Sequence, residues 1–288
     1  MIPAAFDYQA PASVEEAVKL LDQLGDRAKV LAGGHSLIPI MKLRLAQPEV
    51  LVDIGRIGDL RQVRRHDGRL AIGALVTHAE VTRNGAIREG CPLLAETASE
   101  IGDIQVRNRG TLGGALAHAD PAADYPATIL ALDAEIVAQG PAGRRTIRAS
   151  DFFTGMLSTA LAPNELLVEV LVPTYGRGTG GAYLKMPNKA SHYAVVGVAA
   201  LARLEGGRVA SLAVAITGAG AQPIRARAVE RALQGQAPSE DAVARAAGSA
   251  AEGLDLLSDV HGSAEYRAHI ARVFTRRAIL EAVRRAGG

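Results

Sequence analysis

Two short segments of this sequence place paired glycines next to a hydroxyl side chain. The first, LAGGHSLIPIM, sets Gly33, Gly34, His35 and Ser36 between a strand-like run and a predicted helix that begins at Leu37. Glycine at the end of a strand allows a positive φ and lets backbone amides approach a ligand closely. Successive amides at a helix N-terminus form a cradle for a phosphate. The same residues also suit a tight turn with Ser36 as the N-cap, so this segment alone leaves two interpretations open.

The second segment, QVRNRGTLGGALAHADPAAD, repeats the pattern with Thr111, Gly113 and Gly114. Its threonine offers a hydroxyl and its glycines offer exposed amides, while Asp124 is a candidate acceptor for a ribose hydroxyl. An Asx-turn at Asp120 and an N-cap at Asp124 are the structural alternatives. Two amide cradles exceed what a monophosphate needs, whereas a pyrophosphate would use both. The pair therefore predicts a dinucleotide cofactor, but not a Rossmann site, because no G-x-G-x-x-G follows a strand.

The elements around these two segments alternate irregularly. A capping box at Ser13 predicts a helix that ends before Gly25, and the strand KVLA then leads into the first glycine segment. A β-rich block follows the glycine-rich stretch YGRGTGG, and three helical segments come after it. This order predicts an α+β fold of at least two domains rather than a doubly wound sheet.

The composition narrows the classes of function. The chain has 288 residues, 48% of them hydrophobic, and its 32 basic and 30 acidic side chains nearly cancel. This balance predicts a folded protein without a nucleic-acid-binding surface. No apolar run reaches the roughly 18 residues of a membrane span, and no secretory signal is recognised, so a cytoplasmic protein is expected. Cys91 is the single cysteine and the seven histidines are scattered, so we predict no catalytic triad and no metal site in this chain.

Three stretches carry a resemblance to a known family: AGGHSLIPIMKLR, QVRNRGTLGG with HADPAAD, and KASHYAVVGVAA. They resemble the FAD-binding medium subunit of the xanthine dehydrogenase and carbon monoxide dehydrogenase family of molybdenum hydroxylases, over essentially the whole chain. The resemblance implies an α+β protein with a two-lobed FAD-binding domain of the vanillyl-alcohol-oxidase (PCMH) type at residues 1–175. Its lobes would cover about 1–55 and 56–175. A smaller C-terminal domain of the CO dehydrogenase flavoprotein type, with an antiparallel sheet and helices, would span 176–288.

The resemblance also implies a function and partners. FAD, bound non-covalently, would take electrons from two [2Fe–2S] clusters in a small iron–sulfur subunit and pass them to NAD, oxygen or a quinone. A large molybdopterin subunit would hold and oxidise the substrate, whose identity this chain therefore does not encode. The three chains would form a dimer of heterotrimers in the cytoplasm, without nucleic acid and without a membrane span. An electron carrier needs no acid–base residues of its own, which agrees with the missing triad.

The resemblance assigns the cofactor contacts residue by residue. The pyrophosphate would lie along the first glycine segment, with Thr111 and Gly114 opposite, and His35 would contribute only its backbone. The assigned residues of the first segment are Ala32, Gly33, Gly34, His35, Ser36 and Leu37.

The remaining contacts follow the cofactor from flavin to adenine. Ile101 and Val106 would pack near the flavin or its chain. His118 and Asp124 would face the ribityl and ribose region. Leu167 would contact the adenine.

Two assignments and one departure concern the flavin end. Lys185, on the GAYLKMP strand, would reach the far side of the cofactor. Tyr193 would lie against the isoalloxazine ring, the alternative being a half-buried tyrosine of the sheet. Family members often have Asn after the second glycine pair, where this chain has Ala115. A side-chain hydrogen bond is lost there, and a water or the Ala115 amide is expected to replace it.

Two other classes of function stay open. A free-standing FAD oxidase or dehydrogenase would need a substrate pocket with aromatic and acid–base residues, and only 3% of the residues are aromatic. A non-catalytic nucleotide-binding or scaffold protein is the other class. A flavin spectrum excludes the scaffold, and co-purification with two further chains distinguishes the electron-transfer subunit from the free-standing enzyme.

Overall fold

The first lobe is a small parallel sheet with its two helices. The structure, a computed structural model, describes residues 1–287. The elements of this lobe are β1 (Asp7–Gln9), α1 (Val14–Leu24), β2 (Ala28–Leu31), α2 (Leu37–Lys42) and β3 (Val50–Asp53). The strands pair in the order β1-β3-β2, all parallel. The chain therefore leaves the carboxyl end of β2 directly into the first glycine segment.

Helix α1 begins where the sequence predicts. The Ser13 hydroxyl accepts from the Glu16 amide at 3.1 Å, and the Glu16 carboxylate accepts from the Ala12 amide at 2.8 Å. Glu16 thus reaches one residue further back than the predicted capping box requires. Val14, Ala17, Val18 and Leu21 form the buried face of α1.

The second lobe is a five-stranded antiparallel sheet with helices between its strands. Strand order is β4-β5-β10-β6-β7. Its strands are β4 (Val63–His66), β5 (Arg69–Gly73), β6 (Glu135–Gly140), β7 (Gly143–Arg148) and β10 (Leu166–Pro173). The short strands β8 (Phe153–Gly155) and β9 (Ser158–Thr159) form a separate pair. The helices are α3 (His78–Arg83), α4 (Gly85–Gly90), α5 (Pro92–Ser99), α6 (Ile104–Arg109), α7 (Leu112–His118), α8 (Tyr125–Ala131) and α9 (Ala149–Phe152).

The C-terminal part is a second antiparallel sheet covered by helices. Its strands follow chain order: β11 (Thr179–Pro187), β12 (Ala194–Glu205), β13 (Arg208–Thr217) and β14 (Ile224–Arg225). Its helices are α10 (Arg227–Leu233), α11 (Glu240–Ala247) and α12 (Ala264–Gly287). Helix α12 crosses β11 so closely that a Cβ on Gly180 would lie 2.3 Å from the Ala282 carbonyl oxygen.

Both faces of the C-terminal sheet are buried. Tyr183, Ala199 and Ala215 belong to the core of the second lobe, whereas Val198 and Val214 pack with helices α10 to α12. A strand buried on both faces reads as a continuous apolar run, which explains the sequence AVVGVAALA in β12.

The predicted α+β class, with a two-lobed first part and a C-terminal antiparallel sheet with helices, is confirmed. The boundaries at 55/56 and 175/176 stay predictions; they fall between β3 and β4 and between β10 and β11. Within residues 1–287, no helix has both the length and the apolar character that a membrane crossing needs.

Candidate functional site

A cleft of about 570 Å³ lies where the two lobes and the loop before β12 meet. Small-molecule sites have volumes of about 300–1,000 Å³, so the cleft is large enough for a cofactor. Nearly all of the predicted cofactor residues line it, namely Ala32, Gly33, Gly34, His35, Ser36, Leu37, Ile101, Val106, Thr111, Gly114, His118, Asp124, Leu167 and Tyr193. Lys185 is the predicted contact that does not line it.

The first glycine segment presents free backbone donors to this cleft. The N–H groups of residues 33–37 donate to no acceptor among the described residues 1–287. Gly34 has φ +77°, and α2 starts with the Ile38 amide donating to the Gly34 carbonyl at 3.0 Å. Amides that lack a protein acceptor need a partner from solvent or a ligand. Five successive donors therefore make this segment a candidate anion cradle.

The second glycine segment differs from the prediction. Its amides are already used within the protein: Leu112 donates to Val76, Gly113 to Ala74, both at 2.9 Å. The predicted second cradle of exposed amides is therefore wrong. The chain turns back onto the end of β5 here, and the β5 end supplies the acceptors.

Thr111 is the N-cap of α7. Its Oγ1 accepts from the Gly114 amide at 3.1 Å, and the Thr111 carbonyl accepts from the Ala115 amide at 3.0 Å. A hydroxyl that accepts one bond keeps its own proton as a donor, so Thr111 can still bind a cofactor oxygen. The Ala115 amide, in contrast, cannot replace the missing Asn side chain.

Gly33 and Gly114 allow segments of the protein to pack closely, more than they allow a ligand to approach. A Cβ on Gly33 would lie 2.2 Å from the Arg109 carbonyl oxygen, and one on Gly114 would lie 2.7 Å from Thr111 Oγ1. Neither residue has a positive φ; within the first segment that property belongs to Gly34. The two glycine segments thus touch through their backbones, a contact that a side chain at Gly33 would prevent.

Asp124 and Lys185 form a buried pair beneath the cleft. Their side chains are 5% and 3% exposed, and Lys185 Nζ lies 3.1 Å from Asp124 Oδ1. The same ammonium donates to the carbonyls of Glu100 and His192, both at 2.6 Å. Its three N–H groups are therefore all used within the protein, and the contact of Lys185 with the cofactor stays a prediction.

Asp124 lines the cleft at the start of α8, and its carboxylate makes no capping hydrogen bond to that helix. Its Oδ1 also accepts from the Tyr183 hydroxyl at 2.5 Å. Burial raises the pKa of Asp124 to about 6, against the opposing effect of Lys185. Asp124 thus stands at the N-cap position without a capping hydrogen bond from its side chain. The Asx-turn is present: Asp120 Oδ1 accepts from the Ala122 amide at 2.8 Å.

Tyr193 stands at the rim of the cleft. It precedes β12 rather than belonging to it and is 40% exposed, so the alternative of a half-buried sheet tyrosine is wrong. Asn188 fixes its loop, since the Asn188 amide donates to the Tyr193 carbonyl at 2.8 Å. Burial first, and the charge of Asp120 second, raise the pKa of Tyr193.

Another wall of the cleft is apolar because both faces of β10 are covered. Leu166 and Val168 pack in the core of the first lobe, and Leu167 packs in the core of the second lobe. All three are buried, and both leucines line the cleft. The register with β6 shifts only after them, between Leu167 and Glu169. Ile101 and Val106 are half-buried at another part of the wall.

Several lining residues were missed from the sequence. His78 is 4% exposed, and its Nδ1 lies 3.2 Å from the Tyr125 hydroxyl. Burial lowers the pKa of His78 to about 4, so it is neutral at pH 7. Glu165 and His192 also line the cleft. The capping box at Thr77 marks a helix start, but no local pattern places its neighbour His78 in a site.

Within residues 1–287, no group of three or more His, Cys, Asp or Glu side chains is arranged to hold a metal ion.

Comparison with known proteins covers both parts of the chain. Residues 4–175 match the FAD binding domain in molybdopterin dehydrogenase, and residues 181–282 match the CO dehydrogenase flavoprotein C-terminal domain. The chain is 43% identical over 279 residues to the carbon monoxide dehydrogenase medium chain of Hydrogenophaga pseudoflava, covering 97% of each protein.

Two further similarities extend over nearly full length. The 6-hydroxypseudooxynicotine dehydrogenase complex subunit alpha of Paenarthrobacter nicotinovorans is 40% identical over 287 residues, with 99% of this chain and 97% of that protein covered. A chain in the structure of the Hydrogenophaga pseudoflava carbon monoxide dehydrogenase that lacks the Mo-pyranopterin moiety superposes with a TM-score of 0.97, at 45% identity and 99% coverage of both. The chain therefore belongs to the carbon monoxide dehydrogenase and xanthine dehydrogenase family of molybdopterin dehydrogenases, as an FAD-binding oxidoreductase subunit.

Proposed function

We propose that this chain is the electron-transfer subunit of a molybdenum hydroxylase that acts in the cytoplasm. A small iron–sulfur subunit with two [2Fe–2S] clusters delivers electrons to it, and a large molybdopterin subunit oxidises the substrate. The three chains assemble as a dimer of heterotrimers. Membership of the family and the full-length similarity to medium chains of dehydrogenase complexes support this proposal.

The single observation that carries the proposal is the row of five unpartnered amides at residues 33–37, in a cleft of cofactor size. This donor set suits the pyrophosphate of FAD, because consecutive N–H groups bind anionic oxygens. The Thr111 hydroxyl adds a donor. The apolar wall of Leu166 and Leu167 suits the adenine, and the exposed ring of Tyr193 suits the isoalloxazine. The residues present thus fit FAD.

When bound, FAD supplies redox chemistry that can accept and release electrons singly or in pairs. The task of this chain is to hold the group and shape its surroundings. The Asp124–Lys185 pair fixes the loop that carries Tyr193, because Lys185 donates to the His192 carbonyl. Tyr193 shields one side of the cleft mouth. Neutral His78 itself adds no positive charge beneath the second glycine segment.

The substrate pocket belongs, in this proposal, to the large subunit. The relatives at about 40% identity are named for different substrates, carbon monoxide and 6-hydroxypseudooxynicotine. A medium subunit that only transfers electrons can serve both kinds of complex without changing its own site. The external acceptor is NAD, oxygen or a quinone.

Purification of the tagged full-length chain from its own organism tests the proposal. We expect a flavin spectrum, release of FAD on denaturation, and two co-purifying chains with molybdopterin and iron–sulfur absorption. In rapid mixing with substrate, the iron–sulfur absorption should bleach before the flavin absorption. Flavin reduction by an organic substrate in the isolated chain would instead favour a free-standing enzyme. Absence of FAD would contradict both readings.

A further inference from the structure

We propose that the ion pair between Arg145 and Glu165 makes this chain select FAD over FMN, because it holds the wall against which the adenine half lies. Arg145 and Glu165 act in this as positioning residues. The inference rests on the proposed FAD function and adds a determinant of which flavin is bound.

The pair closes a small loop by several hydrogen bonds. Arg145 Nε donates to Glu165 Oε1 at 2.6 Å, and Arg145 Nη2 donates to Glu165 Oε2 at 2.7 Å. The same Nη2 donates to the Ala160 carbonyl at 2.7 Å. Glu165 Oε2 also accepts from the Ala162 amide at 2.7 Å, and the Glu165 amide donates to the Ala162 carbonyl at 3.0 Å. Residues 160–165 are therefore tied at both ends to one guanidinium.

The fold makes room for this arrangement. Strand β7 carries Arg145 beside the loop, and the Glu165 side chain is only 12% exposed. A Cβ on Gly140 would lie 3.0 Å from Glu165 Cγ, so the absence of a side chain there admits the glutamate. Bidentate pairing between a guanidinium and a carboxylate fixes orientation as well as distance.

The tied loop forms part of the cleft. Leu161, Pro163 and Glu165 line it. The next residue, Leu166, packs with Leu21 and Ala28 in the core of the first lobe. Tyr193, in contrast, lies beside Asp120, near the start of α8. The loop thus walls a part of the cleft that continues into the core of the first lobe, and in the proposed binding mode this part takes the adenine half.

The chemistry of this part of the cleft matches a purine rather than a flavin ring. Its leucine and proline side chains are apolar, and the aromatic rings of tyrosine that line the cleft in residues 1–287 are Tyr193 and the fully buried Tyr125. Both carboxylate oxygens of Glu165 already accept hydrogen bonds from the protein. Three of the roughly four lone-pair positions of the carboxylate are thus used within the protein, and in this proposal Glu165 acts by shaping the wall.

The test compares FAD and FMN, which share the flavin and differ in the adenine half. The variants are Arg145→Gln and Glu165→Gln in the full-length chain. The matched controls are Arg64→Gln and Glu169→Gln, because Arg64 and Glu169 form a similar pair on the same sheet (2.6 Å, 59% and 18% exposed) that does not line the cleft. Flavin titration gives both dissociation constants, and urea unfolding reports stability.

We expect the dissociation constant for FAD to rise roughly tenfold or more in Arg145→Gln and in Glu165→Gln, since a misplaced wall loses contacts with the adenine half. The constant for FMN should change less than about twofold, and the controls should match the parent. The double variant Arg145→Gln/Glu165→Gln should lose no more than either single variant, because the two residues act as one unit.

Three results would overturn the inference. Equal weakening of FAD and FMN would show a general structural effect on the cleft. Weakening by Glu165→Gln alone would show a direct contact between the carboxylate and the cofactor. Unchanged FAD binding in both variants would show that the Arg145–Glu165 pair plays no part in FAD recognition. Failure of the parent chain to bind FAD at all is a different outcome, which overturns the proposed function and the inference with it.

Discussion

At the rim of the cleft, Tyr193 combines a 40% exposed side chain with a backbone fixed by Asn188 and Lys185. A ring that is held from its backbone but not packed in a core is available to cover a ligand. In the proposed function it shields one face of the isoalloxazine, while the amides of residues 33–37 supply the binding energy.

Replacement of Tyr193 by Ala should leave FAD bound, shift the flavin spectrum and change the rate of re-oxidation by the external acceptor. The stability cost should stay below about 2 kcal/mol, less than the 3–5 kcal/mol of a buried aromatic residue. Tyr266→Ala, at a tyrosine of similar exposure on α12, is the control. An unaltered spectrum and re-oxidation rate per bound flavin would place Tyr193 away from the ring.

His78 is a second residue whose surroundings determine its chemistry. It is buried beside Tyr125, with ring centroids 5.3 Å apart, and burial lowers its pKa from 6.5 to about 4. Below pH 6.5 the His78 imidazole binds a proton in the unfolded chain but stays neutral in the folded chain until the pH approaches 4. The contribution of His78 to stability is therefore complete above pH 6.5 and is lost as the pH falls through about 4.

His78→Gln removes this titration and keeps a polar partner for Tyr125. Between pH 6.5 and 4 its free energy of unfolding should fall about 3 kcal/mol less than that of the parent, at ~1.4 kcal/mol per pH unit. Tyr125→Phe, which retains the histidine, should keep the acid sensitivity of the parent. Urea unfolding across this pH range measures the difference; parallel curves for His78→Gln and the parent would contradict the assignment.

At the scale of elements, the contact between the two glycine segments sets the geometry of the cradle. Gly33 lies against the backbone of Arg109 and Gly110, where α6 ends. The first turn of α7 is in turn fixed to the chain just after β5, because the Gly113 amide donates to the Ala74 carbonyl. The position of the free amides therefore depends on a chain of backbone contacts that begins in the second lobe.

Gly33→Ala should push these segments apart, because its Cβ would start 2.2 Å from a carbonyl oxygen. We expect FAD per folded chain to drop and its dissociation constant to rise about tenfold or more. Gly58→Ala is the control, since a Cβ there meets nothing within 4 Å. Full flavin occupancy of Gly33→Ala after gel filtration would contradict the role of this contact.

At the scale of the whole molecule, the C-terminal sheet and the second lobe share one core, and Lys185 links them through polar contacts. From β11 it reaches Asp124 at the start of α8 and the Glu100 carbonyl after α5. The contacts that close the cofactor cleft therefore join both parts of the chain, and neither part provides them alone.

Lys185→Met leaves Asp124 buried without its cation. Removing one partner of a buried pair costs about 3–5 kcal/mol. The pKa of Asp124, already raised to about 6, should rise further. A raised pKa gives a stability contribution that is present below the unfolded value of 3.8 and lost as the pH rises through the folded value, so the deficit should be larger at pH 8 than at pH 5.

Urea unfolding at both pH values measures this deficit, with Lys189→Met, at an exposed lysine nearby, as the control. Adding Asp124→Asn to Lys185→Met should restore part of the stability at pH 8, because no buried charge then remains. A deficit that is the same at pH 5 and pH 8 would contradict the role given to Asp124.

The sequence by itself determined the local features and, through the family resemblance, most of the site. The helix starts at Ser13 and Thr77 follow from capping residues within one turn, and the α+β class follows from the order of apolar periods. Both glycine segments line the cleft, and so do all the contacts that the resemblance predicts except Lys185.

Only the tertiary structure decided which donors and acceptors remain free for a ligand. The Lys185 ammonium donates to Asp124, 61 residues away. The amides that begin α7 in the second glycine segment donate to the carbonyls of Ala74 and Val76. Leu166 and Leu167 are both buried because distant segments complete a core on each face of β10. A local pattern fixes the type of a residue and its helix or strand, but hydrogen bonds between distant segments form only where packing brings the groups within about 3 Å.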